Sequence, residues 1–326
     1  MSSGQELSNP SWKIAVTYQN DKMTDGVGAQ LQRIYGIYAL SRLLKVPYIH
    51  SPLAKVDYQG LKSLEENSGS QDFVDAFNRR FTIKSDVAVP QSYYVVNVHN
   101  ITPEAMGAIT AQAQSVDRPI IVRISLPYGI TDAHPACYEC CREISPFSHL
   151  PPNKEKLRVA VHVRRGEMMV VAANRMLPND YYIKASLRVS RLLEEMGVPC
   201  SFEIHTEIPT KEVELKPGEN GIEKSIGEPK RISPEESKIE EFAAIPNATI
   251  MANAEALDCL SLFSTADVLI TSRSSFSYLG GMLNRKRSVI LYNPFWHPAL
   301  PGWISTANDG TFDEAAFRDR IQALMA

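Results

Sequence analysis

Apolar runs of strand length alternate with longer amphipathic stretches through the first part of the chain. The stretch 26–45 has apolar residues on more than one helical face, which predicts a helix packed inside a layered domain. Another helix is predicted over 103–113, and apolar residues at helical spacing indicate more helix between 57 and 87. Such alternation is typical of a Rossmann-like α/β domain. The predicted strands of this part are 12–18, 46–50, 93–98 and 119–124.

A proline-rich stretch separates this part from the rest of the chain. Five prolines between 127 and 152 exclude a long helix there, so we place a domain boundary near Leu150. The predicted domains are therefore 1–150 and 151–326. The alternation resumes in the second domain, with predicted strands at 159–163, 200–206, 248–251, 266–271 and 288–291. Its predicted helices are 178–196, 254–264, a helix that follows 272–278, and 312–325.

Two stretches of the second domain lack the alternation. The stretch 168–177, which contains Asn174 and Arg175, is predicted to be a loop. The stretch 209–241 consists mainly of Lys, Glu, Pro and Gly and offers little apolar surface. Ordering it would cost more conformational entropy than its contacts return, which predicts a mobile excursion. An inert insertion and a lid over an acceptor are equally compatible with this composition.

Composition narrows the class of protein. A chain of 326 residues with 44% hydrophobic and 22% charged residues is typical of a soluble globular protein with two domains. The net charge of −3 argues against a nucleic-acid partner, since phosphate contacts require a basic face. No apolar run reaches the length of a membrane span, and residues 1–10 lack the apolar core of a signal peptide.

The five cysteines indicate reduced thiols, because an odd count does not fit a disulfide framework. Cys137, Cys140 and Cys141 follow closely after His134, so a zinc site has to be considered. A structural zinc site usually takes a second ligand pair at comparable spacing, and the sequence offers none. We therefore favour a half-buried connector between domains and predict no metal site.

The clearest chemistry follows the predicted strand 159–163. This run is apolar except for His162, and Arg164, Arg165, Gly166 and Glu167 come directly after it. Open α/β folds bind ligands at the carboxyl ends of their strands, and two adjacent guanidiniums suit a pyrophosphate. The alternative is a surface arginine pair in a salt-bridge patch, which leaves His162 and Gly166 unexplained.

Two further turns suit an anion. A glycine turn at 26–30 joins the first strand to the first long helix, and a helix N-terminus presents free N–H groups. Gly28 and Gln30 are its candidate ligand residues, although many such turns contain glycine for steric reasons only. In the second turn, at 272–278, Ser274 or Ser275 can cap a helix and also donate a hydrogen bond to a phosphate oxygen.

Four motifs together carry a resemblance to a known family. The stretch 159–167 resembles the His-x-Arg-Arg-Gly-Asp signature of the α1,2- and α1,6-fucosyltransferases, with Glu167 in place of the usual Asp. The Gly-x-Gly-x-Gln turn at 26–30, the Leu-Pro-x-x-Tyr-Tyr run ending at Tyr182 and the stretch 258–278 are similar to further motifs of that group. All four occur in the family's order, and the chain between them shows little similarity.

The resemblance implies a GT-B fold, in which two Rossmann-like lobes face each other across a cleft. The first lobe would serve the acceptor, and the second would bind the nucleotide-sugar donor. The implied reaction is an inverting transfer of L-fucose from GDP-fucose to a glycan hydroxyl. The expected partners are thus a nucleotide-sugar and a glycan acceptor. Most glycosyltransferases of secretory compartments carry an anchor, so we expect a cytoplasmic protein or a soluble catalytic portion without its anchor.

The resemblance also implies roles for single residues. Arg165 would hold the β-phosphate of the donor, and Arg164 is kept beside it because a turn at Gly166 can break strand alternation. Glu167 is the candidate catalytic base, as the sole carboxylate of the motif. No Asp-x-Asp pair occurs in the chain, so we expect no metal cofactor. The expected donor-binding residues are His162, Arg164, Arg165, Asp258, Ser274, Ser275, Gly28 and Gln30. Among them, Asp258 matches an acidic residue that hydrogen-bonds the guanine edge in that family.

Two rival functions stay open at the level of sequence. One is a GT-B transferase that uses another nucleotide-sugar, such as GDP-mannose or UDP-xylose. The other is a non-catalytic binder that keeps nucleotide affinity, an interpretation that the change from Asp to Glu167 keeps open.

Overall fold

The computed structural model describes residues 11–21, 25–65, 69–131, 134–147, 153, 155–171, 173–215, 228–284 and 288–326. The helices are α1 (Val27–Leu44), α2 (Leu61–Glu65), α3 (Gln71–Phe81), α4 (Pro103–Ser115), α5 (Tyr128–Thr131), α6 (Pro135–Glu143), α7 (Met168–Val171), α8 (Asn179–Glu195), α9 (Ala256–Thr265), α10 (Ser275–Met282) and α11 (Glu314–Met325). The strands are β1 (Ile14–Tyr18), β2 (Tyr94–Asn100), β3 (Ile120–Leu126), β4 (Leu157–Val163), β5 (Cys200–Thr206), β6 (Val213–Leu215), β7 (Lys230–Ile232), β8 (Ala248–Ala252), β9 (Val268–Ile270), β10 (Val289–Tyr292) and β11 (Ile304–Ser305).

The chain forms two compact units, and neither is continuous in sequence. The predicted boundary near Leu150 lies outside the described residues. Thr24–Gln32 and Lys55–Phe81, which the predicted division placed in the first domain, belong to the second unit. The first unit consists of Met1–Met23, Arg33–Ala54 and Thr82–Cys141. The second consists of Thr24–Gln32, Lys55–Phe81 and Arg142–Ala326.

The first unit is built on a parallel sheet in the order β1-β3-β2. Every residue of β1 is buried, as its apolar sequence predicts. The predicted strand at 46–50 is reduced to one parallel bridge, between Tyr48 and Val16. The helix α4 begins as its sequence indicates, because the Thr102 hydroxyl accepts a hydrogen bond from the amide of Ala105 at 3.2 Å.

The second unit is built on a six-stranded parallel sheet in the order β11-β10-β9-β4-β5-β8. Its central strand β4 is buried along almost its whole length, which explains the continuous apolar run in its sequence. The helices α8 and α11 bury their apolar faces in the core that this sheet forms. Two units with parallel sheets confirm the predicted α/β class. The short strand β11 was not predicted.

The described part of the stretch 209–241 is ordered, contrary to prediction. Strands β6 and β7 form an antiparallel pair in which Val213 lies opposite Ile232, and both side chains are buried. Two 3₁₀ turns, Pro234–Ser237 and Ile239–Ala244, follow. Its few apolar residues pack because they meet across the strand pair, a pairing that composition does not reveal. Residues 216–227 of this stretch lie outside the described residues.

The order of the six strands places a switch point beside β4. The chain runs from β4 outward through β5 to β8, and then crosses to β9 on the other side of β4. In open parallel sheets, ligands bind at such a point, outside the carboxyl ends of the two strands that flank it. No helix in the described part of the chain has the length and apolar character needed to cross a membrane.

Candidate functional site

A cavity of about 1090 Å³ lies at the carboxyl ends of β4 and β5, and all the residues that line it belong to the second unit. The turn after β4, the residues after β5 and the loop between β9 and α10 contribute to its wall. The first residues of α1, the N-terminal end of α9 and residues from the segment 55–73 complete it. The cavity therefore occupies the edge of the sheet where a ligand is expected.

The turn after β4 depends on Gly166. Its φ of +63° is in the left-handed region, which glycine adopts without strain. A Cβ atom at this position would also lie 2.5 Å from the Tyr58 hydroxyl oxygen and 2.8 Å from Glu207 Oε2. The turn brings both Arg164 and Arg165 to the cavity wall.

Arg164 forms an ion pair with Glu167. The ring of Tyr58 lies 5.3 Å from the guanidinium carbon of Arg164, and the Tyr58 hydroxyl donates to Glu207 Oε2 at 2.9 Å. Burial raises the pKa of Glu167 to about 7; the charge of Arg164 opposes this effect and that of Glu207 adds to it. Glu167 thus titrates near neutral pH, in the range that suits a general base.

Arg165 is held by a different set of contacts. Its Nη1 atom donates to the carbonyl of Arg164 at 2.8 Å, and its Nη2 atom donates to the side-chain oxygen of Asn179. The Asn179 amide nitrogen in turn donates to the carbonyl of Lys238 at 3.1 Å and to Glu241 Oε2 at 2.8 Å. Burial lowers the pKa of Arg165. Asn179 therefore orients Arg165 and connects it to the 3₁₀ turns that follow β7.

His162 lies beside the switch point. Its Nδ1 atom is 2.9 Å from the hydroxyl oxygen of Ser272, a residue that follows the neighbouring strand β9. The rings of Phe263 and Phe276 lie 5.2 Å and 5.9 Å away. Burial, with a contribution from Arg164, holds the pKa of His162 well below its usual value. The imidazole on this wall is therefore neutral and acts as a polar contact rather than as a charge.

The N-termini of α1 and α10 meet at the cavity. The Ser274 hydroxyl caps α10 by accepting a hydrogen bond from the amide of Phe276 at 3.2 Å. A Cβ atom on Gly28 would lie 2.6 Å from the Cα atom of Phe276, so glycine is required for this close approach. Gly28, Ser274 and Ser275 all line the cavity. Two helix N-termini side by side at the cavity favour an anion, because each presents free N–H groups and the positive end of its dipole.

Comparisons with known proteins identify no family for this chain. No protein-family model matches the sequence, and no curated protein is significantly similar to it. The chain is similar to the E. coli heptosyltransferase WaaC with ADP at 10% identity and a TM-score of 0.40, over 96% of this chain and 99% of that one. WaaC with ADP-2-deoxy-2-fluoro heptose gives 8% identity and a TM-score of 0.39, over 95% and 99%. Similarities of this size identify neither an activity nor a substrate.

Two of the predicted ligand residues do not line the cavity. Gln30 is fully buried, and its amide nitrogen donates to the carbonyls of Asp25 at 2.9 Å and Lys55 at 2.6 Å. It therefore joins two segments of the second unit. Asp258 is exposed in the first turn of α9, outside the cavity lining, to which Cys259 belongs. The register of a helix decides which of two neighbouring residues faces a cavity, and the motif spacing did not fix that register.

Other residues line the cavity that sequence reasoning did not assign. Thr206 is among them, and its buried hydroxyl has no hydrogen-bond partner among the described residues. Arg175 and Arg273 bring further positive charge. Their positions in turns were visible in the sequence, but nothing showed that these turns converge. The basic residues of the lining are Lys55, Lys62, Arg164, Arg165, Arg175 and Arg273, and the acidic ones are Asp25, Asp57, Glu65, Glu167, Glu207 and Glu255.

Metal ligands are not grouped in the part of the chain that the structure describes. No cluster of three or more His, Cys, Asp or Glu side chains there is arranged to hold a metal ion. Cys137, Cys140 and Cys141 lie on α6 and are not joined in disulfides, and two of the three are buried.

Proposed function

We propose that this protein is an inverting, metal-independent glycosyltransferase of the GT-B class that moves L-fucose from GDP-fucose to a glycan hydroxyl. The observation that carries the proposal is the convergence of arginines and two helix N-termini on one cavity at the switch point of a parallel sheet. A diphosphate carries two to three negative charges close together. Bidentate guanidiniums and free main-chain N–H groups are the partners that proteins use for it.

The choice of fucose and guanine rests on the motif around β4. Its His162, Arg164, Arg165 and Gly166 match the signature of fucosyltransferases, and all four lie in or beside the cavity. Asp258, the candidate for the guanine edge, is exposed outside the lining. Guanine is therefore the least supported part of the proposed donor, and a panel of nucleotide-sugars tests it directly.

In the proposed reaction, an acceptor hydroxyl attacks the anomeric carbon from the face opposite the diphosphate. The bond between that carbon and the phosphate oxygen breaks, and GDP leaves with the bonding electrons. Arg165 stabilises the charge that develops on the β-phosphate. Glu167 takes the proton of the hydroxyl, and its pKa of about 7 leaves part of it ionised at neutral pH.

A pH profile tests Glu167. Since the base must be ionised, kcat should rise about tenfold per pH unit below the pKa of about 7 and become level above it. Glu167→Gln should remove this rise together with most of the turnover. Glu195→Gln, which changes an exposed carboxylate on α8, is the control and should keep the parent profile. A parent profile that is flat between about pH 5.5 and 8.5 would exclude Glu167 as the base.

Hydrolysis of a panel of nucleotide-sugars tests the proposal as a whole. Many transferases slowly pass the sugar to water, so the donor can be identified without knowing the acceptor. The purified protein should release GDP from GDP-fucose faster than it releases nucleotide from GDP-mannose, UDP-xylose or ADP-sugars. If the protein prefers another donor, the proposed sugar or the proposed nucleotide base is wrong. Nucleotide binding without turnover of any donor would show a binding protein instead of an enzyme.

A further inference from the structure

Three of the arginines that line the cavity are already engaged by neighbouring side chains. Arg164 forms its ion pair with Glu167, and Arg165 donates to Asn179. Arg273 donates from Nε to Asn293 Oδ1 at 2.8 Å and from Nη2 to Asn308 Oδ1 at 2.7 Å. These contacts fix the three side chains and reduce the number of N–H groups that they can offer to a ligand.

Arg175 differs from them. It ends the 3₁₀ turn Ala173–Arg175, is half-buried and lines the same cavity. Its Nε atom is shielded from solvent and has no hydrogen-bond partner among the residues that the structure describes. Its two terminal nitrogens also donate to no residue that the structure describes, so they stay available to a ligand.

Trp296 packs against this guanidinium. The guanidinium carbon of Arg175 lies 5.0 Å from the centre of the indole ring, within the range of a cation–π contact. The Trp296 side chain is 66% exposed, which is unusual for the largest apolar residue type. An indole that packs against an arginine limits the rotamers of the long side chain without occupying its N–H groups.

Charged groups from both anion-binding features of the cavity act on Arg175. Burial lowers its pKa, the charge of Arg164 lowers it further, and the charges of Asp25 and Glu167 raise it. Asp25 comes immediately before the glycine turn of α1, and Glu167 belongs to the turn after β4. Arg175 is therefore within electrostatic reach of both the helix N-terminus and the central motif.

We propose that Arg175 binds the diphosphate of the donor and that Trp296 is its positioning residue. This inference rests on the proposed nucleotide-sugar function and adds a binding residue that the central motif does not contain. The two terminal nitrogens of the guanidinium would donate to two oxygens of the terminal phosphate, a geometry that guanidinium offers and ammonium does not.

Calorimetry with the parent protein and three ligands tests the inference: GDP, GMP and inorganic pyrophosphate. Arg175→Gln should weaken binding of GDP and pyrophosphate at least about tenfold, and that of GMP less than about twofold, because GMP lacks the phosphate in question. Arg175→Lys should restore only a small part of the loss. Arg118→Gln is a matched control, since Arg118 also lies over an aromatic ring, Tyr94, but is exposed in the first unit.

Trp296→Leu separates a positioning role from direct contact. It should weaken GDP binding severalfold in the presence of Arg175 and change nothing in the Arg175→Gln background.

Equal losses for GDP and GMP, or no loss for either, would overturn the role of Arg175 while leaving the proposed function intact. If the parent binds pyrophosphate and another nucleoside diphosphate but not GDP, the proposed guanine is wrong. The same variants are then compared with the nucleoside diphosphate that binds. A parent that binds neither pyrophosphate nor any nucleoside diphosphate would overturn both proposals.

Discussion

Arg165→Ala is expected to lower the rate of sugar transfer by about 10²–10³-fold, the usual cost of removing one charged donor from a developing anion. The expected loss is in kcat, because the charge on the leaving diphosphate grows in the transition state. Arg165→Lys should recover little, since an ammonium group cannot contact both Asn179 and the phosphate as the guanidinium fork does. Steady-state kinetics with saturating donor measure the effect, and the exposed change Arg191→Ala is its control.

The same assay shows where the positive charge comes from. Excess EDTA should leave the turnover of the parent almost unchanged, because arginines and helix N-termini supply the charge that a divalent cation supplies in GT-A enzymes. If EDTA stops the reaction and manganese restores it, the assignment of the leaving-group site to Arg165 is wrong.

Gly28→Ala is expected to damage both folding and donor binding. The new methyl group would lie 2.6 Å from the Cα atom and 2.7 Å from the amide nitrogen of Phe276, and main-chain atoms cannot rotate away as a side chain can. Separating the N-termini of α1 and α10 should cost about 1–3 kcal/mol of stability, as overpacking in a core does. GDP affinity should fall in parallel, because the two sets of N–H groups no longer converge.

Gly107→Ala provides the matched control for this change. Gly107 lies within α4, and a methyl group there would have no atom within 4 Å. It should raise the free energy of unfolding by about 0.5–1 kcal/mol, because alanine loses less backbone entropy in a helix. Urea unfolding and calorimetry of both variants make the comparison. A Gly28→Ala protein with the stability and GDP affinity of the parent would show that the two helix ends are not in contact.

Much of the second unit could be predicted because its signals are local. The apolar run of β4 predicted a buried parallel strand, and the residues after it were expected at the edge of the sheet where ligands bind. Ser274, one of the two serines predicted as a possible helix cap, caps α10, and capping depends on a few neighbouring residues. The α/β class followed from the alternation of such local elements.

The rest of the site depends on contacts between distant segments. Tyr58 meets Glu207 across 149 positions in sequence, and no local pattern indicates that pair. The position of Trp296 against Arg175 likewise depends on how two irregular stretches fold back. At Asp258 the helix was predicted, but its rotation about its axis, which leaves this side chain outside the cavity lining, was not.

The divided second unit has a consequence for how the protein is made. A nascent chain leaves the ribosome from its N-terminus, at roughly 5–20 residues per second. Two segments of the second unit, Thr24–Gln32 and Lys55–Phe81, therefore emerge before any strand of its sheet. The first unit, in contrast, is complete once Cys141 has emerged. Tyr58 and Gly28 must wait for Arg142–Ala326, which takes roughly ten seconds or more to synthesise. The cavity is thus assembled last. A chain that terminates early exposes the early segments of the cavity wall without the later segment that completes it.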